Sequence, residues 1–384
     1  MKEKITKVVY VDRACAAKDP EYARSFSKTP SFCVYDARFV SDIIGDNPKL
    51  QLISERRATR EQFAHEAGVY IRSTNSVYFT SNFQTGDLID LYAINCETHK
   101  IEKLNYPEVV QANGACNYPG KIASATARST ATAVANATVT DKHVEPDRIL
   151  YCSQGDMTTA SGLVLIDPMT GESETLLNNF HGREFSSVND VVIHHETGDM
   201  WFTDPTYGYE QAFRPDPQLP PQVYRFRPST KECSAVADGF KMCNGLCFSP
   251  DYSLLYITDT GAAMAHDGPG DGHQIYLDPR KPATIYVYDV VDNGTRLANR
   301  RLFAYCDTGV PDGIKCDESG YVYSGCGDGV HVWDPKGTLI GKIIVGGTTA
   351  NLCFVKGGLW MFSEQELYFC KLEAKGALVE IECE

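Results

Sequence analysis

Four stretches of this 384-residue chain share one plan: an oxygen-bearing residue, a short apolar strand, a tight turn and a second apolar strand. They read Glu66-AGVYIRSTNSVYFTSN, Asn189-DVVIHHETGDMWFTDP, Asn244-GLCFSPDYSLLYITDT and Asp312-GIKCDESGYVYSGCG. In the second and third, Asp204 and Asp259 each fall fifteen residues after the leading asparagine, so the likeness keeps register over a whole hairpin. Arrays of short antiparallel strands that start alike are the mark of a β-propeller, whose innermost strands all begin at one rim of a central channel. The chain is therefore expected to be all-β, with Glu66, Asn189, Asn244 and Asp312 converging from four blades on one point near the axis. Two carboxylates and two amide carbonyls meeting there make a site for a hard divalent cation, Ca2+ in the first place, with Mg2+, Mn2+ or Zn2+ as other candidates.

Blade-like units run from Glu66 to Tyr106, Asn113 to Phe180, Ser186 to Gly239, Cys243 to Tyr305, Pro311 to Val345 and Thr348 to Leu372, which predicts a six-bladed propeller. Residues 1–31 are polar and irregular and read as an N-terminal arm; residues 32–384 are expected to form a single propeller domain. The strands in FCVYDARFV and LQLISERR, before the first unit, are expected to pair with the last blade and close the ring, because closure removes exposed sheet edges. Short punctuators such as HHETGD, SPDYS, DESG and DPKG supply the hairpin turns. Two insertions, 121–146 and 264–282, interrupt the rhythm; long loops on a rigid scaffold either serve function, here as a cover over the channel mouth, or are tolerated surface insertions, and both readings stay open.

The formal net charge of −14 argues against nucleic acid or an anionic membrane as a partner. No segment is apolar for long enough to span a bilayer, and MKEKITKVVYVDRAC has no hydrophobic run ahead of a small-residue cleavage site. A cytoplasmic location is the expectation. The 14 cysteines fit it, since Cys152, Cys247, Cys316, Cys353 and Cys370 sit inside apolar strand runs, where a reduced thiol behaves as a small hydrophobe. Cys243 and Cys247 bracket Asn244-Gly245 without a second matching pair, so no zinc site is expected there.

There is no G-x-S-x-G elbow and no G-x-x-x-x-G-K-[ST] loop, so serine-hydrolase and P-loop readings lack local support. The ordered blocks NNFHGREFSSVNDVVIHHETGDMWFTDPTYGYEQAFRPDPQLPPQVYRFRP, CNGLCFSPDYSLLYITDTG and PDGIKCDESGYVYSGCGDGVHVWDPKG instead resemble the gluconolactonase, senescence-marker-protein and luciferin-regenerating-enzyme family, its fungal lactonohydrolase branch above all. The resemblance implies one divalent ion in the channel and hydrolysis of a cyclic ester. It implies the same four metal ligands, Glu66, Asn189, Asn244 and Asp312. It also implies that Asn113, in QANGACNY, lies on the substrate side. Some relatives hold a second calcium through an acidic residue three positions after the P-D-G aspartate; here that position is Lys315.

Four protein ligands leave coordination positions for water and a substrate carbonyl. A cation so held polarises a lactone carbonyl and stabilises the oxyanion formed as water adds. Asp312 is the candidate general base, and Glu66, counted with it as a catalytic residue, balances charge. His181 and His331 are further candidates for the pocket, His181 as a substrate-binding residue. His65, beside Glu66, either hydrogen-bonds the site or faces the opposite side of its strand, and alternation favours the second. The other functional class is a non-hydrolytic propeller that binds a small molecule or serves another step of a secondary-metabolite pathway.

Overall fold

A computed structural model describes residues 4–83, 88–118, 147–266 and 274–378; the expected insertion 121–146 and residues 267–273 of the second lie outside the described residues. Six antiparallel sheets follow one another around a ring as the blades of a propeller. The first four blades are four-stranded meanders; in the fourth, the separate hairpin Ala263–His266 and Gln274–Leu277 is inserted between the second and third strands. Their inner strands are Glu66–Ile71, Ala112–Tyr118, Val191–His194 and Cys243–Phe248. Ile314–Cys316 and Asn351–Val355 are the inner strands of the fifth and sixth.

The last two blades are completed from the other end of the chain. Lys49–Glu55 pairs antiparallel with Glu366–Lys371 and supplies the outer strand of the sixth blade, so LQLISERR closes the ring as expected. The strand Ser31–Val34 does not join it. It pairs with Leu339–Ile344 at the outer edge of the fifth blade, where Phe32 and Val34 enter the core between the last two blades. Residues 4–31 are more regular than an arm: Lys4–Ile5 extends the sixth sheet, Val8–Tyr10 lies parallel to Ser31–Val34, and two short helices, Arg13–Ala16 and Pro20–Arg24, are capped by Asp12 and Asp19.

Each blade packs on both faces, so inner strands such as Val191–His194 and Asn351–Val355 are buried throughout and read as continuous apolar runs rather than an alternation. At the seam between the first and last blades Phe79 stacks on Phe362 with ring centroids 5.3 Å apart and on Tyr92 at 5.6 Å. Pairs of this kind contribute about 0.5–1.5 kcal/mol each beyond the area they bury. Cys152, Cys247, Cys316, Cys353 and Cys370 are all buried in these cores. No helix among the described residues is long and apolar enough to cross a membrane.

Candidate metal and active site

At or within two residues of the start of each inner strand stands an oxygen-bearing side chain: Glu66, Asn113, Asn189, Asn244, Asp312 and Asn351. Two features bring them together. Asp204 accepts from the backbone N–H groups of Ser186 and Ser187 at 3.0 and 2.7 Å, and Asp259 does the same for Lys241 and Met242 at 2.9 Å each. The shared fifteen-residue spacing thus fixes the turn that delivers Asn189 and Asn244. The second feature is the glycine that follows Asn244 and Asp312. A Cβ on Gly245 would stand 2.5 Å from the carbonyl oxygen of Asp312, and one on Gly313 would stand 2.3 Å from the Asn351 side chain. Only glycine lets neighbouring inner strands come this close around the axis.

Glu66, Asn113, Asn189, Asn244 and Asp312 line a single cavity of about 480 Å3. The amide nitrogens are held from the side. Asn189 Nδ2 donates to Asn113 Oδ1 at 3.3 Å, and Asn244 Nδ2 donates to the Tyr207 hydroxyl at 3.1 Å. Their oxygens are left over: Asn189 Oδ1, Asn244 Oδ1 and Asp312 Oδ1 are buried and accept no hydrogen bond. Buried acceptors without a donor are rare, and three in one cavity beside Glu66 form a set of lone pairs that a hard cation satisfies. Burial, with the Glu66 carboxylate next to it, pushes Asp312 well above the ordinary carboxylate range. A divalent cation among these oxygens removes that repulsion. The donor set therefore fits Ca2+ or a similar ion.

Asn351 lies behind Glu66 and donates to its Oε2 at 2.6 Å. It begins the sixth inner strand as Asn351-Leu-Cys-Phe, which is Asn244-Gly-Leu-Cys-Phe without the glycine, and that likeness was the signal by which the sequence could have revealed it. Gln154 was also missed. Its Oε1 accepts from Ser187 at 2.8 Å, while Nε2, buried and without a partner, belongs to the cavity wall as an unused donor.

His65 corrects the expectation from alternation. It lines the cavity, with Nδ1 2.9 Å from Glu364 Oε1. The reason is local: Ala67 and Gly68 both have positive φ, 69° and 84°, and the register slips between Ala67 and Val69, so the period of two fails at the start of this strand. Burial opposes a charged ring here, yet the carboxylates of Glu364, Glu66 and Asp312 outweigh it and raise His65 to about 9.

The other two histidines lie elsewhere. His181 is exposed at the tip of the hairpin joining Asn179–Phe180 to Arg183–Glu184, packed on Phe180, and is not among the cavity residues. His331 is fully buried inside the fifth blade. Ala263 and Leu277, from the paired strands Ala263–His266 and Gln274–Leu277 at the second insertion, line the cavity. Lys315 lines a separate cavity of about 90 Å3 formed by the far ends of the inner strands. Burial would lower its pKa, but Asp190 raises it, and the resulting ammonium repels a second divalent cation at that position.

A profile of the SMP-30/Gluconolactonase/LRE-like region matches residues 66–269 and 269–365, which takes in every inner strand and every residue of the oxygen cluster. The chain belongs to this family. The lactonohydrolase oryL of Aspergillus oryzae is 34% identical over 329 residues, covering 84% of this chain and 69% of its own length. The lactonohydrolase oryH of the same organism is 26% identical over 413 residues, with 91% and 82% covered. A gluconolactonase structure from Xanthomonas campestris superposes with a TM-score of 0.65 at 22% identity, covering 90% of this chain and 95% of that one, and so shares the fold.

Proposed function

We propose that this chain is a lactonase that opens a cyclic ester with the aid of a divalent cation, Ca2+ in the first place, held by Glu66, Asn189, Asn244 and Asp312. The observation that carries this reading is the set of three buried, partnerless oxygens beside Glu66 in one cavity. Membership of a family with lactonohydrolases as relatives supports it. A cation bound there supplies electrophilic polarisation of the carbonyl and stabilises negative charge on its oxygen.

The chain's own residues do the rest. Asn351 fixes the Glu66 carboxylate, and Asn113 and Tyr207 hold the two asparagine amides so that their oxygens face inward. Asp312 is half-buried and keeps an edge open to the cavity. As general base it takes a proton from water while the water oxygen adds to the lactone carbonyl carbon. It returns that proton to the ring oxygen as the C–O bond breaks, leaving a hydroxy acid. Gln154 Nε2 is the donor available to a substrate oxygen. The test is turnover of a lactone panel before and after chelation. Hydrolysis abolished by chelator and restored by Ca2+, Mg2+, Mn2+ or Zn2+ supports the reading; no turnover of any lactone with all four supplied favours a non-hydrolytic binding protein.

A further inference from the structure

A second group of ligating side chains lies behind the cavity wall. Cys306 follows the outer strand of the fourth blade, Arg296–Tyr305. Cys326 ends Val322–Cys326 of the fifth blade, and His331 lies within Gly329–Trp333 of the same blade. One ligating atom from each falls within 4.8 Å of the others, and all three residues are buried. They are the only such group of histidine, cysteine or acidic residues found among the described residues.

The histidine is prepared for coordination. Its Nε2 lies 2.6 Å from Asp328 Oδ1, and an ionised carboxylate only accepts, so the ring donates there and its lone pair is on Nδ1. Nδ1 is buried, makes no hydrogen bond of ordinary geometry, and is the nitrogen on the side of the 306–307 segment, 3.6 Å from Asp307 Oδ1. A carboxylate that holds one imidazole nitrogen while the other faces thiols is the usual support of a histidine metal ligand. The charges agree. Lys342 Nζ is held by Asp307 at 2.6 Å and lies 3.7 Å from Asp328 Oδ2, so this lysine is balanced by two carboxylates before either thiol ionises.

We propose that Cys306 Sγ, Cys326 Sγ and His331 Nδ1 form a buried site for a zinc-class cation, which fastens the fourth blade to the fifth behind the catalytic cavity. Two thiolates and an imidazole select Zn2+ over the hard ions that suit the oxygen cluster, and three protein ligands leave a fourth position for water or a nearby carbonyl. Binding releases the two thiol protons. The consequence for the cavity is direct: Thr308, Gly309 and Gly327, adjacent to the two cysteines, line its wall, and Gly327 N–H already donates to the Thr308 carbonyl at 2.9 Å.

The probe is Co2+ titrated into the reduced, EDTA-treated full chain with Ca2+ in excess to fill the oxygen cluster. A near-ultraviolet thiolate-to-cobalt band that Zn2+ abolishes is expected. It should persist in Asp312→Ala, which disables only the oxygen cluster, and vanish in Cys306→Ser and Cys326→Ser. Zn2+ should also raise the Tm of the reduced wild-type chain under the same Ca2+ excess, a measurement that holds even where the serine variants fail to fold. No band and no Tm shift in the wild type overturn the proposal, as does a band unchanged in both serine variants. A native Cys306–Cys326 disulfide, seen by mass as the loss of two hydrogens in the unreduced chain, overturns it in favour of a redox cross-link.

Discussion

Asn351 donates to Glu66 at 2.6 Å, and in doing so joins the first residue of the last inner strand to the first residue of the first. The contact crosses the seam where the ring closes. Hydrogen bonds to charged groups contribute about 1.5–3 kcal/mol, and residues that hold a metal ligand typically change metal affinity about 10- to 100-fold. Asn351→Ala should therefore weaken Ca2+ binding by about that factor. Calorimetric titration would check it, and unchanged affinity would mean that Glu66 needs no such support.

The two roles proposed for Asp312 separate by substitution. Asp312→Asn keeps an oxygen ligand and removes the base, so kcat on a confirmed lactone should fall about 10²- to 10⁴-fold with metal still bound. A rate equal to wild type with metal retained would leave Asp312 as a ligand alone.

Chelation should destabilise the fold. An ion that binds only the native state adds about 2.7 kcal/mol at a hundredfold excess over its Kd. EDTA should lower Tm visibly in the wild type, and Asp312→Ala should lose most of that response. Equal EDTA shifts in both proteins would place the ion elsewhere.

Asp204 gives a pH signature. Burial pushes it up to about 7, against the pull of the Ser186 and Ser187 N–H groups and of Arg214. An unfolded aspartate releases its proton near pH 3.9. Between that value and about 7 the native state holds the proton longer than the unfolded one, so stability falls as pH rises through this window. Asp204→Asn abolishes the titration, and its Tm relative to wild type should climb as pH is raised toward 7 and level off above. A difference in Tm that is flat with pH would rule this out.

Gly313 tests the approach of the inner strands. Its missing Cβ would lie 2.3 Å from the side chain of Asn351, and overpacking of this kind typically costs about 1–3 kcal/mol. Gly313→Ala should lose stability on that order in chemical denaturation and weaken Ca2+ binding as well, because the displaced residue holds Glu66. A variant that is destabilised yet binds Ca2+ normally would uncouple the strand spacing from the site.

The propeller and its axial oxygen cluster were legible because they repeat. The same register that fixes the turn through Asp204 and Asp259 also sets Asn189 and Asn244 at one depth, and repetition survives translation into sequence. What does not repeat was hidden. His65 faces the cavity because a bulge at Ala67 and Gly68 breaks the alternation, and nothing in Glu66-Ala-Gly announces a register slip. Asn351 lost its glycine and with it the N-G signature. Ser31–Val34 carries the apolar pattern of a closing strand, but pattern alone does not say which of two adjacent blades it completes. Cys306, Cys326 and His331 come from two blades with no motif spacing, so only the fold brings them together.

The strand Lys49–Glu55 has one further implication, which concerns time rather than geometry. It emerges early in synthesis, but its partner, Glu366–Lys371, is made about three hundred residues later. Through that interval one edge of this strand, the edge opposite Lys4–Ile5, waits unpaired, and the nascent ring is an open arc with an adhesive end. The oxygen cluster shares this schedule, since Glu66 and the Asn351 that steadies it come from opposite sides of the same gap. Cation uptake by this protein would thus serve as a clock for the last event of folding: a chain that takes up the ion at full affinity has already locked.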